Sequence, residues 1–381
     1  MEWTCATDSA AWLPRYFHTS VVLDDKIWVI GGDLGNGYLS SDVWFSINGI
    51  DWEIATDSAG WIRKSEHTSV IFNNMMWVLG GTDGLSYKND VWHSTDGGNW
   101  IQSTPSAGWI GRVCHTSVVF ENKMWILGGH DSSSYRNDVW YSTDGVNWIC
   151  ATESIGWSPR ALHTSVIFDN KLWVLGGIDS SGLRNDVWYS VDGVNWICAT
   201  ESAGWSARAA HSSVIFDNKL WVFGGADESG FRNDVWYSTD GENWTQAINS
   251  GGWSGRGGHT SIAFDNRVWI LGGAVGAYVK NDVWYSRGLG IEESTTLDAS
   301  RLTPEIYPNP ARSFLAVRLP QTTDRPNLKI FDVSGKLIRE IAATASQPRN
   351  DAMVKLSLKG INPGIYFLRF GTEVKKFLVV K

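Results

Sequence analysis

Residues 163–177 read HTSVIFDNKLWVLGG. A stretch of alternating polar and apolar positions leads into an Asp-Asn pair, then into an unbroken apolar run closed by Gly-Gly. Alternation predicts a half-buried β-strand, and the continuous run predicts a strand covered on both faces. Asp-Asn between them supplies a tight hairpin turn. Two more strand-like runs follow, DVWYS (186–190) and NWICAT (195–200), separated by an Asp-Gly turn. We term the four runs A to D. The pattern occurs six times. His followed by Thr or Ser opens strand A at His18, His67, His115, His163, His211 and His259. Asp-Val-Trp opens strand C at Asp42, Asp90, Asp138, Asp186, Asp234 and Asp282, at a constant 48-residue spacing. Four short strands per repeat at this period predict an all-β chain built as a six-bladed β-propeller.

Tryptophan placement tests that count. Of 24 Trp, each unit holds one in B, one in C, one opening D and one in the D–A connection. The sixth copy stops after strand C and lacks the last two, which stand at the other end of the chain as Trp3 and Trp12. The N-terminal segment is therefore predicted to supply the outer strand of the last blade and to close the ring, leaving no open sheet edge. The Gly-Gly closing strand B and the Trp opening strand D resemble the kelch repeat. That resemblance implies a kelch-like six-bladed propeller over residues 1–288.

Candidate chemistry is sought where the copies differ, because an element present in every blade cannot define an asymmetric site. NDVWYSTDGVNW (137–148) contains Ser-x-Asp-Gly-x-x-Trp, similar to the sialidase Asp box but one residue shorter in spacing. Asp-Gly gives the positive φ of a tight turn, so this stretch is expected to build the fold. The six recurrent histidines are spread around a ring, too far apart to share a metal, and are read as structural. Arg15, Lys64, Arg112, Arg160, Arg208 and Arg256 recur three residues before them. They form either a cationic ring for an anionic ligand or partners for loop carboxylates. The B–C connections vary most and are expected to share a face with the D–A connections. They carry Tyr38, Tyr87, Tyr135 and Phe231 beside Asp131 and Glu228, a mixture suited to sugar rings or extended peptides, or else an Asp that caps the loop and an aromatic that plugs the neighbouring blade, which recurrence in most copies favours. Glu66, Met75, His93 and His130 also depart from the repeat, and no catalytic set is recognisable among them. Cys5, Cys150 and Cys198 occupy one equivalent position in separate outer strands and are expected to stay free.

Charge divides the chain. Residues 1–291 carry 18 Lys+Arg against 31 Asp+Glu, and residues 292–381 carry 14 against 9. The acidic first part argues against nucleic acid as partner, and no apolar run approaches a transmembrane span. A polar linker (289–303) leads to short alternating strands with Asn-Pro-Gly and Val-Ser-Gly turns, predicting a β-sandwich over 304–381. Tyr307-Pro308-Asn309-Pro310, Gly335, Gly364, Tyr366 and the Lys375, Lys376 and Lys381 of the closing strand make this region similar to the type A C-terminal sorting domain of type IX secretion cargo. The resemblance implies type IX machinery as a partner and a secreted or surface-attached protein, with an export leader expected upstream of Met1. No cofactor or metal is expected. The leading expectation is a non-enzymatic propeller that binds glycan or protein through the B–C/D–A face. The alternatives are a glycan-active enzyme of sialic acid epimerase or sialidase type, and a scaffold without a small ligand.

Overall fold

The computed structural model describes residues 2–286 and, further along, 305–307, 314–318, 328–332, 336–341, 353–357, 361–362, 364–370 and 373–379. The chain divides into two compact units, Met1–Gly290 and Ile291–Lys381. Every regular element among the described residues is a β-strand.

In the first unit six antiparallel sheets each run A-B-C-D from the axis outward. In the third blade the strands are Thr116–Phe120, Lys123–His130, Tyr135–Ser142 and Ile149–Thr152. Strand B is buried at six successive positions in every blade, as its uninterrupted apolar run requires. The sixth sheet is completed by Trp3–Thr7, which pairs antiparallel with Tyr278–Ser286: Trp3 faces Ser286 and Cys5 faces Trp284. The predicted seam is therefore present.

Between successive blades lies one hydrophobic cluster, built from the B and C strands of one blade, the Trp of the D–A connection and strand B of the next. At the seam, Ala10 and Trp12 pack with Ile27 and Val29 of the first blade and with Trp269, Leu271 and Val283 of the sixth. Trp3 joins the cluster between the fifth and sixth blades, edge-on to Phe223 and Trp253. The C–D turns close each interface from outside. Ser142 Oγ accepts from Gly145 N at 2.8 Å, and Asp144 Oδ1 accepts from Val146 N and Asn147 N at 2.8 Å each. Burial opposes ionisation of Asp144, yet the donors of Asn147 and Val146 draw it down to about 2. Gly145 (φ 75°) lies so close to Trp77 of the preceding blade that a Cβ would fall 2.0 Å from that ring. The Asp-Gly turn thus serves packing.

The B–C connections differ from their sequence reading. After a bulge at each Gly-Gly the B–C ladder resumes, and in the last three blades it reaches Asp179↔Gly182, Asp227↔Gly230 and Val275↔Tyr278. A Cβ on the second glycine of the bulge would meet the Cβ of the axial His of its own blade at 2.6–2.8 Å, so only glycine lets strand B pass so close to that histidine's backbone. As a result Tyr87, Tyr135 and Phe231 stand on strands of a hairpin arm rather than on free loops.

The second unit contains two antiparallel sheets. One orders Glu305–Tyr307, Phe314–Arg318 and Met353–Ser357; the other orders Leu337–Ile341, Leu328–Asp332, Gly364–Phe370 and Glu373–Val379. Tyr307, Gly364, Tyr366, Lys375 and Lys376 lie on these strands, and the buried Tyr366 donates its hydroxyl to Asn362 O at 2.9 Å. Pro308, Asn309, Pro310, Gly335, Lys381 and the linker 289–303 lie outside the described residues.

Candidate functional site

The B–C arms and D–A connections converge on one face, and three concentric layers of side chains can be followed there inward to the axis. In the outermost layer Asp131 is buried at the base of its hairpin. It accepts from Ser133 N (2.7 Å), Ser134 N (2.8 Å) and Arg136 Nε (2.5 Å). Asp83–Lys88, Asp179–Arg184 and Asp227–Arg232 repeat the arrangement. Asp131 therefore staples its own hairpin and does not face a ligand. Glu228 is exposed at the neighbouring turn.

The second layer is the ring of recurrent arginines and Lys64. Arg15, Arg112, Arg160, Arg208 and Arg256 are fully buried, and Lys64 nearly so. Arg160 spends all five N–H donors on Asp186 Oδ1 (2.6 Å) and Oδ2 (2.7 Å), Gly176 O (2.9 Å), and the backbone and hydroxyl oxygens of Ser158. Lys64 likewise holds both oxygens of Asp90. With its donors aimed inward, the ring offers an anion nothing. Arg160→Ala is expected to cost about 3–5 kcal/mol by stranding Asp186, measurable as a fall in the urea midpoint; an unchanged midpoint would contradict the buried pairing.

At the axis each recurrent His bonds the hydroxyl of the preceding blade: Thr19···His67 (3.2 Å), Thr68···His115 (3.2 Å), Thr116···His163 (3.1 Å), Thr164···His211 (3.1 Å), Ser212···His259 (2.8 Å) and Thr260···His18 (3.3 Å). The ring closes on itself. Burial first, then the neighbouring Arg or Lys, lowers His18, His67, His163 and His211 to about 3.

The residues immediately before these histidines form a collar above them: Phe17, Glu66, Cys114, Leu162, Ala210 and Gly258. All six are left-handed, with φ between 49° and 63°. A second closed ring holds them there, each N–H donating to the preceding collar carbonyl at 2.8–3.1 Å (Phe17 N to Gly258 O, Glu66 N to Phe17 O, and so on around). Collar and imidazoles line an open axial cavity of about 120 Å³.

This mouth is asymmetric. One side presents Leu162, Ala210 and Gly258. The other presents Glu66, whose Oε2 accepts from the Cys114 thiol at 3.0 Å. Burial raises both groups, and the Glu66 charge pushes Cys114 further up, which keeps the thiol protonated as donor. Aromatic rings flank the carboxylate. Tyr87, His130 and Tyr135 form an edge-to-face series at 6.3 and 5.0 Å, and Tyr16 lies against Phe17 at 4.9 Å. Burial, then Asp33 and Glu66, pushes Tyr16 up to about 12.

The rim shares this handedness. After the D–A tryptophan stand Leu13, Ile62 and Ile110 in three consecutive connections, all exposed, Ile62 by 66%. Ser158, Ser206 and Ser254 occupy the same place in the other three and hydrogen-bond the buried Arg behind them. Leu85 (95% exposed), Tyr38 and Tyr278 extend the apolar half along the B–C tips, while Tyr87 and Phe231 are just over a third exposed and Tyr135 half-buried. The structure thus gathers Tyr87 with two residues that depart from the repeat, Glu66 and His130, while Tyr38 stands exposed on the first blade and Phe231 and Glu228 lie on the far half. Cys114 was not singled out by sequence. Its signal is a position that reads Phe, Glu, Cys, Leu, Ala and Gly beside an unvarying His.

Comparison with known families agrees with this geometry. Residues 1–181 match the Attractin/LZTR1 beta-propeller, and residues 157–288 match the KLHDC2/KLHL20/DRC7 Kelch-repeats domain. The tail, residues 305–381, matches the secretion system C-terminal sorting domain. This is a kelch-type six-bladed propeller joined to a sorting domain. No curated protein matches the chain. The sorting domain marks the kelch propeller for secretion or surface attachment through type IX export machinery. No helix among the described residues is long and apolar enough to cross a membrane. All four cysteines of the propeller, including Cys5, Cys150 and Cys198, are free.

Proposed function

We propose that the exported kelch propeller is a binding module and that its B–C/D–A face takes a protein partner. One observation carries this reading: three neighbouring D–A connections expose Leu13, Ile62 and Ile110, where the opposite three carry serines whose hydroxyls hydrogen-bond the buried arginines. Exposed aliphatic side chains clustered on a rigid face suit the apolar core of a protein contact, whereas sugar sites rely on aromatic planes and free polar groups. The buried arginines speak against the glycan-active enzyme, which needed them for a sugar carboxylate.

The test uses the molecule's own symmetry. Leu13→Ser, Ile62→Ser and Ile110→Ser together give the apolar half the residues already present in the other three blades, so the fold should hold. Panning a displayed peptide library on the full chain is expected to enrich peptides whose affinity drops at least tenfold on the triple variant, since burying one such side chain is worth about 1.5–3 kcal/mol. Specific glycan-array binding that survives the triple substitution, with no peptide enriched, would overturn the protein reading and favour the sugar-binding one through Tyr38 and Tyr278.

A further inference from the structure

The axial cavity raises a separate question: what does a propeller do with one carboxylate, Glu66, among the residues that line it? We infer that the cavity is the socket for a single alkylammonium group, such as a lysine side chain or the amino terminus of a protein ligand, with Glu66 as its anchor and the Phe17 ring in its wall. The inference deepens the protein-binding reading of this face and rests on it.

Four observations converge on it. The first is size. About 120 Å³ is well below the roughly 300–1,000 Å³ of a drug-sized pocket and admits the end of one extended side chain. The second is charge. The six collar N–H groups are spent on collar carbonyls, and the encircling Arg and Lys on aspartates, so an anion entering the mouth meets neither free amides nor free cations. Glu66 is different. Its one hydrogen-bonded side-chain partner is a neutral thiol, which leaves acceptor positions of the carboxylate open, and no Lys or Arg among the described residues pairs with it.

The third is the wall. Phe17 lines the cavity beside Glu66 and lies against Tyr16, while Tyr87 and His130 stand near the carboxylate outside the cavity lining. Aromatic faces beside a carboxylate stabilise an ammonium by cation–π attraction and offer little to an anion. The fourth is position. The exposed arc of Leu13, Ile62 and Ile110 occupies the blades that also carry Phe17, Glu66 and Cys114, so apolar contacts on the rim and a cationic end in the socket can belong to one ligand.

Nα-acetyl-lysine N-methylamide, glycinamide and the neutral isostere Nα-acetyl-norleucine N-methylamide are titrated into the full chain, followed by NMR. Saturable binding of either amine is expected, at least tenfold weaker to Glu66→Gln, with the norleucine compound not binding. Which amine binds tells lysine side chain from amino terminus. A second variant covers the chance that Glu66→Gln disturbs the collar. Ala210→Phe introduces the residue that Phe17 already carries at the equivalent left-handed position, and should fill the socket and abolish binding with Glu66 intact. Equal binding of the neutral isostere, no binding of either amine, or indifference to both substitutions would overturn the socket. Enriched peptides that depend on Ile62 and Ile110 yet lack a cation and ignore Glu66→Gln would sink the socket alone, leaving the protein-binding face standing.

Discussion

Deleting residues 1–12 unfolds the whole ring instead of fraying one end. The segment contributes Trp3 and the fully buried Trp12 to two different interblade clusters. It also supplies the carbonyls of Ala10 and Trp12, each 3.0 Å from the Asn281 amide. Losing a buried aromatic costs about 3–5 kcal/mol, so losing two approaches the 5–15 kcal/mol that holds a whole domain together. In an open solenoid such damage stays local, because each repeat touches only its neighbours in line. In a closed ring the same cut exposes strand Tyr278–Ser286 as a bare edge and uncovers both flanking interfaces at once. Every one of the 24 tryptophans lies in residues 3–284, so tryptophan fluorescence reports the propeller alone even in the full chain. Urea unfolding of the deletion variant should show no cooperative transition, or one with a sharply lowered midpoint. A midpoint equal to that of the intact chain would refute the seam.

The architecture was legible because it is repetitive. A sixfold pattern supplies its own controls, and the absence of two tryptophans from the last copy pointed directly to Trp3 and Trp12. Strand B could be read from its apolar run, and the structural role of the Asp-Gly turns from their chemistry. The site was less legible for the same reason. Arg160 and its five equivalents looked like a charged feature, yet their fate depends on Asp186 and its counterparts 26 or 27 residues later, brought to them by the folding of each blade. The pairing of Asp131 with Arg136 was hidden because the hairpin continues past the Gly-Gly bulge, which no periodicity shows. The socket hides in the residue before each axial His. There a left-handed backbone closes into a ring of six hydrogen bonds across six blades, and the position reads in sequence merely as a place where anything is tolerated.

Acid should dismantle this protein earlier than its carboxylates alone would. The six axial histidines are neutral and buried, with His18, His67, His163 and His211 lowered to about 3 and His115 and His259 well below their usual value. In the unfolded chain the same groups take up protons near pH 6.5. Below that pH the unfolded state binds more protons than the folded one, so stability falls as pH drops from about 6.5 towards 3. Each histidine contributes a slope approaching 1.4 kcal/mol per pH unit. With six acting together, the first unit below 6.5 removes several kcal/mol from a total of about 5–15. The paired aspartates Asp42, Asp138, Asp234 and Asp282, held low by their arginines although burial opposes it, act in the same direction but only once pH falls below the usual carboxylate range. Glu66, raised by burial, acts the opposite way, as one group against six. Urea midpoints by tryptophan fluorescence at pH 7, 6 and 5, at constant ionic strength, should therefore fall steeply before any aspartate titrates. A midpoint constant from pH 7 to pH 5 would mean that the imidazoles are charged or solvated in the fold, contrary to their burial around the axis.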